Sequence, residues 1–372
     1  MLRQQDVGHR IVVRRVIGVR AGRTVFSDAL GELTELTETH LTVNTATGPQ
    51  RVPLTEVHRA KRVPAARRPT AAAVVALELA ADEAWPAPVR DRLGGWLLRS
   101  AEGWTGRANS ALPVGDPDRP LPAAIDAVRA WYADRGQPAM INVPLPLATP
   151  VSAELDDRGW GDARPLVLVQ TAPLARVRAA LGGPVPPDGP TEPGPAAAPA
   201  AELTTEPTAG WIAMVAARKA GLPTAARHVL TAVDQVRFAH VYATGAGFDP
   251  ADSDPAGADG TEAAGVLAAG TRPAGPELLA IGRGTVTGGG RWLGLTLIEV
   301  APSARRRGLA RQVIRALVDW ADGLGATQAF LQVEESNTAA VTLYRELGFT
   351  THHTYRTRIA PAGRPDEPDA TR

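Results

Sequence analysis

Residues 292–310 read WLGLTLIEVAPSARRRGLA, and the fold turns on how that run is parsed. Trp292 to Val300 is an apolar, β-prone run, and it ends at Ala301-Pro302 because proline cannot donate to a strand ladder. Arg305 to Ala310 follows as a basic, glycine-bearing turn. From Leu309 onward Val313, Leu317, Trp320 and Leu324 recur at steps of three and four, which predicts a helix. A strand therefore passes through a basic turn into a helix N-terminus. The first turn of a helix carries unpaired N–H groups and the positive end of the dipole, and Gly308 allows close backbone approach, so the segment suits a diphosphate. Taken alone, it suits an ordinary structural turn equally well.

The flanking sequence narrows the choice. Leu278 to Val286 is a second β-prone run, joined to Trp292–Val300 through Gly288-Gly289-Gly290, a hairpin signal. Beyond the helix come a strand at Phe330 to Val333, then Asn337, Tyr344 and Leu347-Gly348-Phe349. Arg305 to Ala310 matches R/Q-x-x-G-x-G/A, and Asn337 to Phe349 matches N-x-x-A-x-x-L-Y-x-x-L-G-F. These two motifs, in this order and separated by one helix, resemble the GNAT superfamily of N-acetyltransferases. The resemblance implies an α/β (α+β) GNAT fold with a central mixed sheet flanked by helices. It also implies an acyltransferase that moves an acetyl group from acetyl-CoA, as cosubstrate, to a primary amine of a protein or small molecule by direct attack in a ternary complex.

Residue roles follow from the same resemblance. Ile298, Glu299 and Val300 fall at the bulged strand end whose main chain pairs with the pantetheine arm. Arg305, Arg306, Arg307, Gly308, Leu309 and Ala310 would wrap the pyrophosphate. Asn337 falls where the arm is hydrogen-bonded, and as a favoured N-cap residue it is expected to cap the next helix too. Tyr344 falls at the position of the acid that protonates the departing thiolate; a core tyrosine with its hydroxyl at the edge is the competing role. Glu299 has two roles open to it: general base, on a strand face shared with Leu293, Leu295 and Leu297, or ion-pair partner of one of Arg305 to Arg307. Some relatives place a carboxylate where this chain has Gln332, which cannot act as a base.

The remainder reads as further domains, since 372 residues exceed one ordinary domain. Residues 1–62 show short strands at Arg10 to Val19, Thr24 to Glu35 and Leu41 to Thr45, with Arg51 to Val57 as the last, so a small all-β, Tudor-like barrel is expected. Arg59, Lys61, Arg62, Arg67 and Arg68 then read as a connector, with no interleaved aromatics for stacking on bases. Residues 70–175 contain an alanine-rich helix through Val74, Leu77 and Ala81, strands around Gly95-Trp96-Leu97-Leu98, a helix at Ala123 to Arg135, a short helix before Arg158-Gly159-Trp160, and a terminal strand at Pro165 to Thr171. This order resembles a degenerate GNAT-like half. It has no R-x-x-G-x-A turn, so it is expected to act as a scaffold or to line the acceptor pocket without holding CoA. A Pro/Ala-rich linker (182–207), the catalytic domain (208–360), a loop over 249–276 and a disordered tail (361–372) complete the chain. The three-part layout resembles a GNAT branch that includes a histone acetyltransferase.

Composition excludes several classes. The chain has no cysteine, which removes disulfides, thiolate zinc sites and an acyl-cysteine intermediate. The formal net charge is +1, so nucleic acid is not an expected partner of the chain as a whole. His228, His240, His352 and His353 lack metal-ligand spacing, and no metal is expected. No signal peptide or spanning segment is read, so a cytoplasmic location is expected. Two other functions fit the pattern: a catalytically silent CoA-binding regulator, and a nucleic-acid or protein-tail binding barrel with a tethered acetyltransferase.

Overall fold

The computed structural model describes residues 2–20, 23–45, 48–63, 69–182, 200–219, 221–243 and 277–361. Arg67, Arg68, most of the 182–207 segment, the 249–276 segment and nearly all of the tail lie outside these. The chain divides into two compact units, Met1–Arg68 and Pro69–Arg372.

The first unit holds β1 (Arg10–Arg20), β2 (Arg23–Leu36), β3 (His40–Thr45), β4 (Gly48–Pro53) and β5 (Val57–Arg62), in sheet order β4-β3-β2-β1-β5. Only Leu54–Glu56 separates β4 from β5, yet they occupy opposite edges. Four steps of chain reach at most about 15 Å, whereas the edges of a flat five-stranded sheet stand roughly 19 Å apart. The sheet must therefore roll up. Ile11, Val13, Leu33, Leu41, Val43 and Val52 fill its interior. The expected last strand is displaced: Arg59, Lys61 and Arg62, read above as connector, belong to β5 and pair with β1. Their exposed basic side chains hid a strand whose apolar positions, Val57 and Ala60, pack on the core.

The second unit begins with α1 (Ala71–Glu83), the hairpin β6 (Val89–Leu93) and β7 (Trp96–Ser100), α2 (Leu121–Ala133), β8 (Met140–Leu145), α3 (Thr149–Asp157), β9 (Gly161–Asp162), β10 (Val167–Pro173) and α4 (Leu174–Ala180). It continues with β11 (Glu202–Thr204), α5 (Ala209–Lys219), α6 (Thr224–Thr231), β12 (Val236–Tyr242), β13 (Leu278–Thr287), β14 (Trp292–Val300), α7 (Leu309–Gly323), β15 (Gln328–Glu334), α8 (Thr338–Glu346) and β16 (Thr350–Ile359). One mixed sheet of nine strands runs β11-β12-β13-β14-β15-β10-β16-β8, with β9 beside β16. β14 and β15 run parallel, and their named neighbours pair antiparallel.

β10 is the correction of greatest consequence. Pro165 to Thr171 reads in sequence as a strand closing its own half; in the fold β10 lies between β15 and β16, pairing with β15 from Val167↔Glu334 to Pro173↔Gln328 and with β16 on its other side. The middle segment thus supplies an interior strand to the sheet that carries the acyltransferase motifs.

One face of that sheet is covered by α7, whose Leu309, Val313, Ile314, Leu317, Val318 and Ala321 are buried, each larger one worth roughly 2 kcal/mol. α7 sits close because β13 has glycines beneath it: a Cβ on Gly282 would collide with Val313 and Ile298, and one on Gly284 would come within 2.9 Å of Leu317. The other face is covered by α1, α5 and α6, with Trp85, Trp104, Trp211, Val229 and Phe238 in its core.

Candidate active site

β14 and β15 pair in parallel only from Trp292↔Gln328 to Leu295↔Leu331. Beyond Leu295 the two strands separate, and β15 follows β10 instead. β14 is bulged at the same place: Ile281 faces Glu299 and Arg283 faces Thr296, so Gly282 alone opposes Leu297 and Ile298. Leu297 takes φ +52°, a left-handed conformation costing about 1 kcal/mol or more. The carbonyl of Gly282 accepts a hydrogen bond from Trp211 Nε1 at 3.3 Å, which ties α5 to the bulge.

The extra residue reverses the strand's alternation. Leu293 and Leu295 face α7, and after the bulge so do Ile298 and Val300, whereas Leu297 packs with the core on the α5 side. The sequence reading that put Leu293, Leu295, Leu297 and Glu299 on one face is corrected accordingly. Glu299 sits on the α5 side, its side chain 11% exposed, and Oε1 pairs with Arg218 Nη1 at 2.7 Å. Its partner is on α5; among Arg305 to Arg307 it has none. Arg218 carried no signal in the sequence, because nothing local relates a helix residue to a strand end 81 positions away.

The turn after β14 is open. Gly308 is the N-cap of α7 with φ +79°, and a Cβ placed there would meet nothing within 4 Å. Arg311 and Gln312 donate back to the Gly308 carbonyl at 3.0 and 3.2 Å, which leaves the amides of Leu309 and Ala310 without a partner among the described residues. Arg305, Arg306 and Arg307 are exposed, and none has a carboxylate within ion-pair distance among the described residues. An αL glycine, free helical amides and three unpaired cations form a cradle that fits a diphosphate.

Tyr344 is buried in the core beneath α8, edge-on to Phe349 with centroids 5.9 Å apart. Burial pushes its pKa up to about 12, and the positive charge of Arg218 pulls against that rise. Arg218, the ion-pair partner of Glu299, is thus the charge that acts on the Tyr344 phenol. Asn337 caps α8, its Oδ1 accepting from the amide of Ala340 at 3.2 Å. Gln332 lies one residue past the last parallel pair, its Oε1 accepting from the Tyr355 hydroxyl at 3.3 Å.

Beneath the site is a buried polar network that composition gave no reason to expect. Arg283 on β13 is sealed and donates to the carbonyls of Leu230 at 2.8 Å, Ala84 at 2.9 Å and Val229 at 3.3 Å, so it joins α1 and α6 to the sheet. Arg99 bonds Asp82 and Ser110, and His353 bonds Glu78 at 2.7 Å. The described residues contain no cluster of three potential metal ligands and no helix long and apolar enough to cross a membrane.

Residues 71–358 match the family model described as probable histone acetyltransferase Rv0428c, C-terminal. The chain is 29% identical over 286 residues to the probable histone acetyltransferase Rv0428c of Mycobacterium tuberculosis, covering 76% of this chain and 72% of that protein. It is 44% identical over 82 residues to the uncharacterized N-acetyltransferase YobR of Bacillus subtilis, covering 22% of this chain and 32% of that protein. Among solved structures, a GCN5-related N-acetyltransferase from Kribbella flavida superposes with a TM-score of 0.50 at 14% identity, covering 80% of this chain and 98% of that one, a likeness of fold. With the open glycine turn, the splayed strands and a family match over most of its length, the chain belongs to the Rv0428c C-terminal family and is a GNAT-type N-acetyltransferase.

Proposed function

We propose that the protein transfers an acetyl group from acetyl-CoA directly to a primary amine at the opening between β14 and β15. The observation that carries this reading is the open Gly308 turn placed at the end of a bulged, splayed strand. Bound acetyl-CoA supplies the acyl group as a thioester. The amides of Leu309 and Ala310 and the side chains of Arg305, Arg306 and Arg307 hold its diphosphate. The main chain of Ile298, Glu299 and Val300, released from β15, offers its free edge to the pantetheine arm, with Asn337 beside it.

Positioning is the main contribution, because a neutral amine needs placement more than activation. Oε1 of Glu299 is taken by Arg218, while Oε2 has no partner among the described residues and is available to an ammonium proton. Tyr344 gives its proton to the departing sulfur. Its raised pKa keeps the phenol protonated beyond the ordinary range near 10. By linkage, the stability from holding it neutral is present below about pH 10 and lost as pH climbs through about 12. The relative named a probable histone acetyltransferase makes a protein lysine one acceptor to assay.

The test is calorimetric titration with CoA together with thiol release from acetyl-CoA in the presence of amines. One CoA per chain is expected. Tyr344→Phe should lower kcat roughly a hundredfold with CoA affinity kept, and by a similar factor from pH 7 to 9. Full activity in Tyr344→Phe would assign that phenol to the core alone.

A further inference from the structure

The net charge of +1 conceals an uneven division. Residues 1–68 hold twelve Lys and Arg against six Asp and Glu, a net +6, and the remaining residues hold 28 against 33, a net −5. The barrel is therefore the cationic unit, and charge divided in this way acts on partners locally. The barrel also leaves apolar surface uncovered. Ile17 (54% exposed), Phe26 (42%) and Leu30 (43%) are three of the five exposed large apolar side chains among the described residues.

Charge and apolar surface share one face. Ile11 and Val13 point into the barrel, so by alternation Val12, Arg14 and Val16 of β1 point out. The residues directly opposite them do the same: Leu30, Asp28 and Phe26 on β2, and Lys61 and Arg59 on β5. The β1–β5 register steps from Arg14↔Arg59 to Arg15↔Val57, which leaves His58 with no opposite residue. A bulge re-aims the side chain it carries, and the His58 ring lies 4.8 Å from that of Phe26, centroid to centroid. Arg14 binds Asp28 through two bonds of 2.9 Å, with its guanidinium 6.0 Å from the Phe26 centroid, so the acid between Phe26 and Leu30 is neutralised. Arg59 and Lys61 are exposed, and neither has a carboxylate within ion-pair distance among the described residues. In sequence these cations have no aromatic interleaved with them for stacking; the fold sets Phe26 beside their strand.

We propose that this face of the barrel binds single-stranded nucleic acid. It has two lanes side by side: Arg59 and Lys61 on β5 for anions, and Val12, Val16, Leu30 and Phe26 on β1 and β2 for flat apolar groups. A single strand is divided in the same way, with phosphates along one side and bases along the other, and its bases stack on exposed rings with little regard to sequence. A duplex keeps its bases paired inside and offers Phe26 nothing. An acidic peptide brings charge without a flat face, and an anionic lipid surface would have to take in Asp28 between the apolar side chains.

The experiment titrates the full chain into a labelled oligothymidine, about twelve nucleotides long, and reads fluorescence anisotropy. Two phosphate contacts predict an affinity that falls roughly sevenfold between about 50 and 200 mM salt. Phe26→Ala should weaken binding roughly tenfold with that salt dependence kept, and so should Phe26→Leu, which retains apolar surface but loses the ring. Phe26→Tyr should bind like wild type. Arg59→Ala combined with Lys61→Ala should remove most of the salt dependence, and Arg135→Ala, a cation of the other unit, should change nothing. These side chains are exposed, so each variant should keep the far-UV circular dichroism of wild type. The proposal is overturned by no binding at low salt, by equal affinity for a duplex of the same length, or by unchanged affinity in Phe26→Ala. Equal competition from polyglutamate of the same charge would assign the face to acidic peptides, and preference for phosphatidylserine vesicles would assign it to membranes; either overturns it as well.

Discussion

The second unit contains two turns that each lead from a parallel pairing into a helix, and their surfaces differ. In the first, Ala111 bridges Ile141 of β8 in parallel, and the chain turns through 113–120 into α2. In the second, β14 runs parallel to β15 and turns through 301–308 into α7. The first turn is tied to its neighbours by side chains, and Pro113, Val114, Gly115, Pro117 and Arg119 line a largely apolar hollow of about 330 Å³ with Trp96 and Leu147. Asp116 Oδ1 takes the amide of Asp118 at 2.8 Å, Trp96 Nε1 donates to the Gly115 carbonyl at 3.0 Å, and a Cβ on Gly115 would touch Gly95 at 3.0 Å. Pro122 near the helix start lacks an N–H, and Asp118 stands where the second turn has Arg306, with Asp116 close by, while Arg119 matches Arg307. A helix N-terminus attracts a diphosphate only if its amides are free and its surroundings are not anionic. The comparison teaches that the architecture alone does not make a site; three or four residues at the turn do.

The halves are unequal in chemistry yet inseparable in folding, and removing residues 69–175 should have the largest effect. Without β10, β15 loses a seven-residue ladder and β16 loses its inner neighbour, so the remaining chain is expected in the insoluble fraction. A soluble 200–372 fragment that bound CoA would break the comparison.

Next in size is Gly308→Val. A β-branched residue at φ +79° strains the turn and intrudes on the cradle, so CoA affinity by calorimetry should fall roughly a hundredfold. The matching change in the other turn, Asp116→Ala with Pro122→Ala, should leave one CoA per chain and affinity within about twofold. A second equivalent of CoA in wild type would show that the first turn binds the nucleotide as well.

The smallest effect is expected from Arg306→Ala. An exposed cation beside the cradle should contribute about threefold to CoA affinity at low salt, and less at 0.5 M salt, because exposed charges are screened. A hundredfold loss would mean that side chains, not backbone amides, dominate at this turn.

How much of this was legible depended on distance along the chain. The hairpin through Gly288, the end of β14 at Pro302, the helix from Leu309 and the cap at Asn337 all arise from residues within a few positions of one another, and the structure has each in place. The resemblance implied a bulge at the end of β14, but its effect on side-chain faces was not legible, because one inserted residue leaves the apolar pattern nearly unchanged while reversing which face each later side chain takes. The pairing of Glu299 with Arg218 depended on that reversal. The basic strand β5 reads as a connector because its charges face solvent while only Val57 and Ala60 reach the core.

Sequence by itself determined the order of strands and helices around the Arg305 to Ala310 turn and the superfamily to which that order belongs, since short-range periodicity and turn chemistry are local properties. Tertiary structure alone decided that β10 enters the sheet between β15 and β16, that Arg218 meets Glu299, and that buried Arg283 joins α6 and the end of α1 to the sheet. Those juxtapositions join residues many positions apart. They follow from how strands of comparable propensity share one sheet and how helices cover its faces, which no window of neighbouring residues contains.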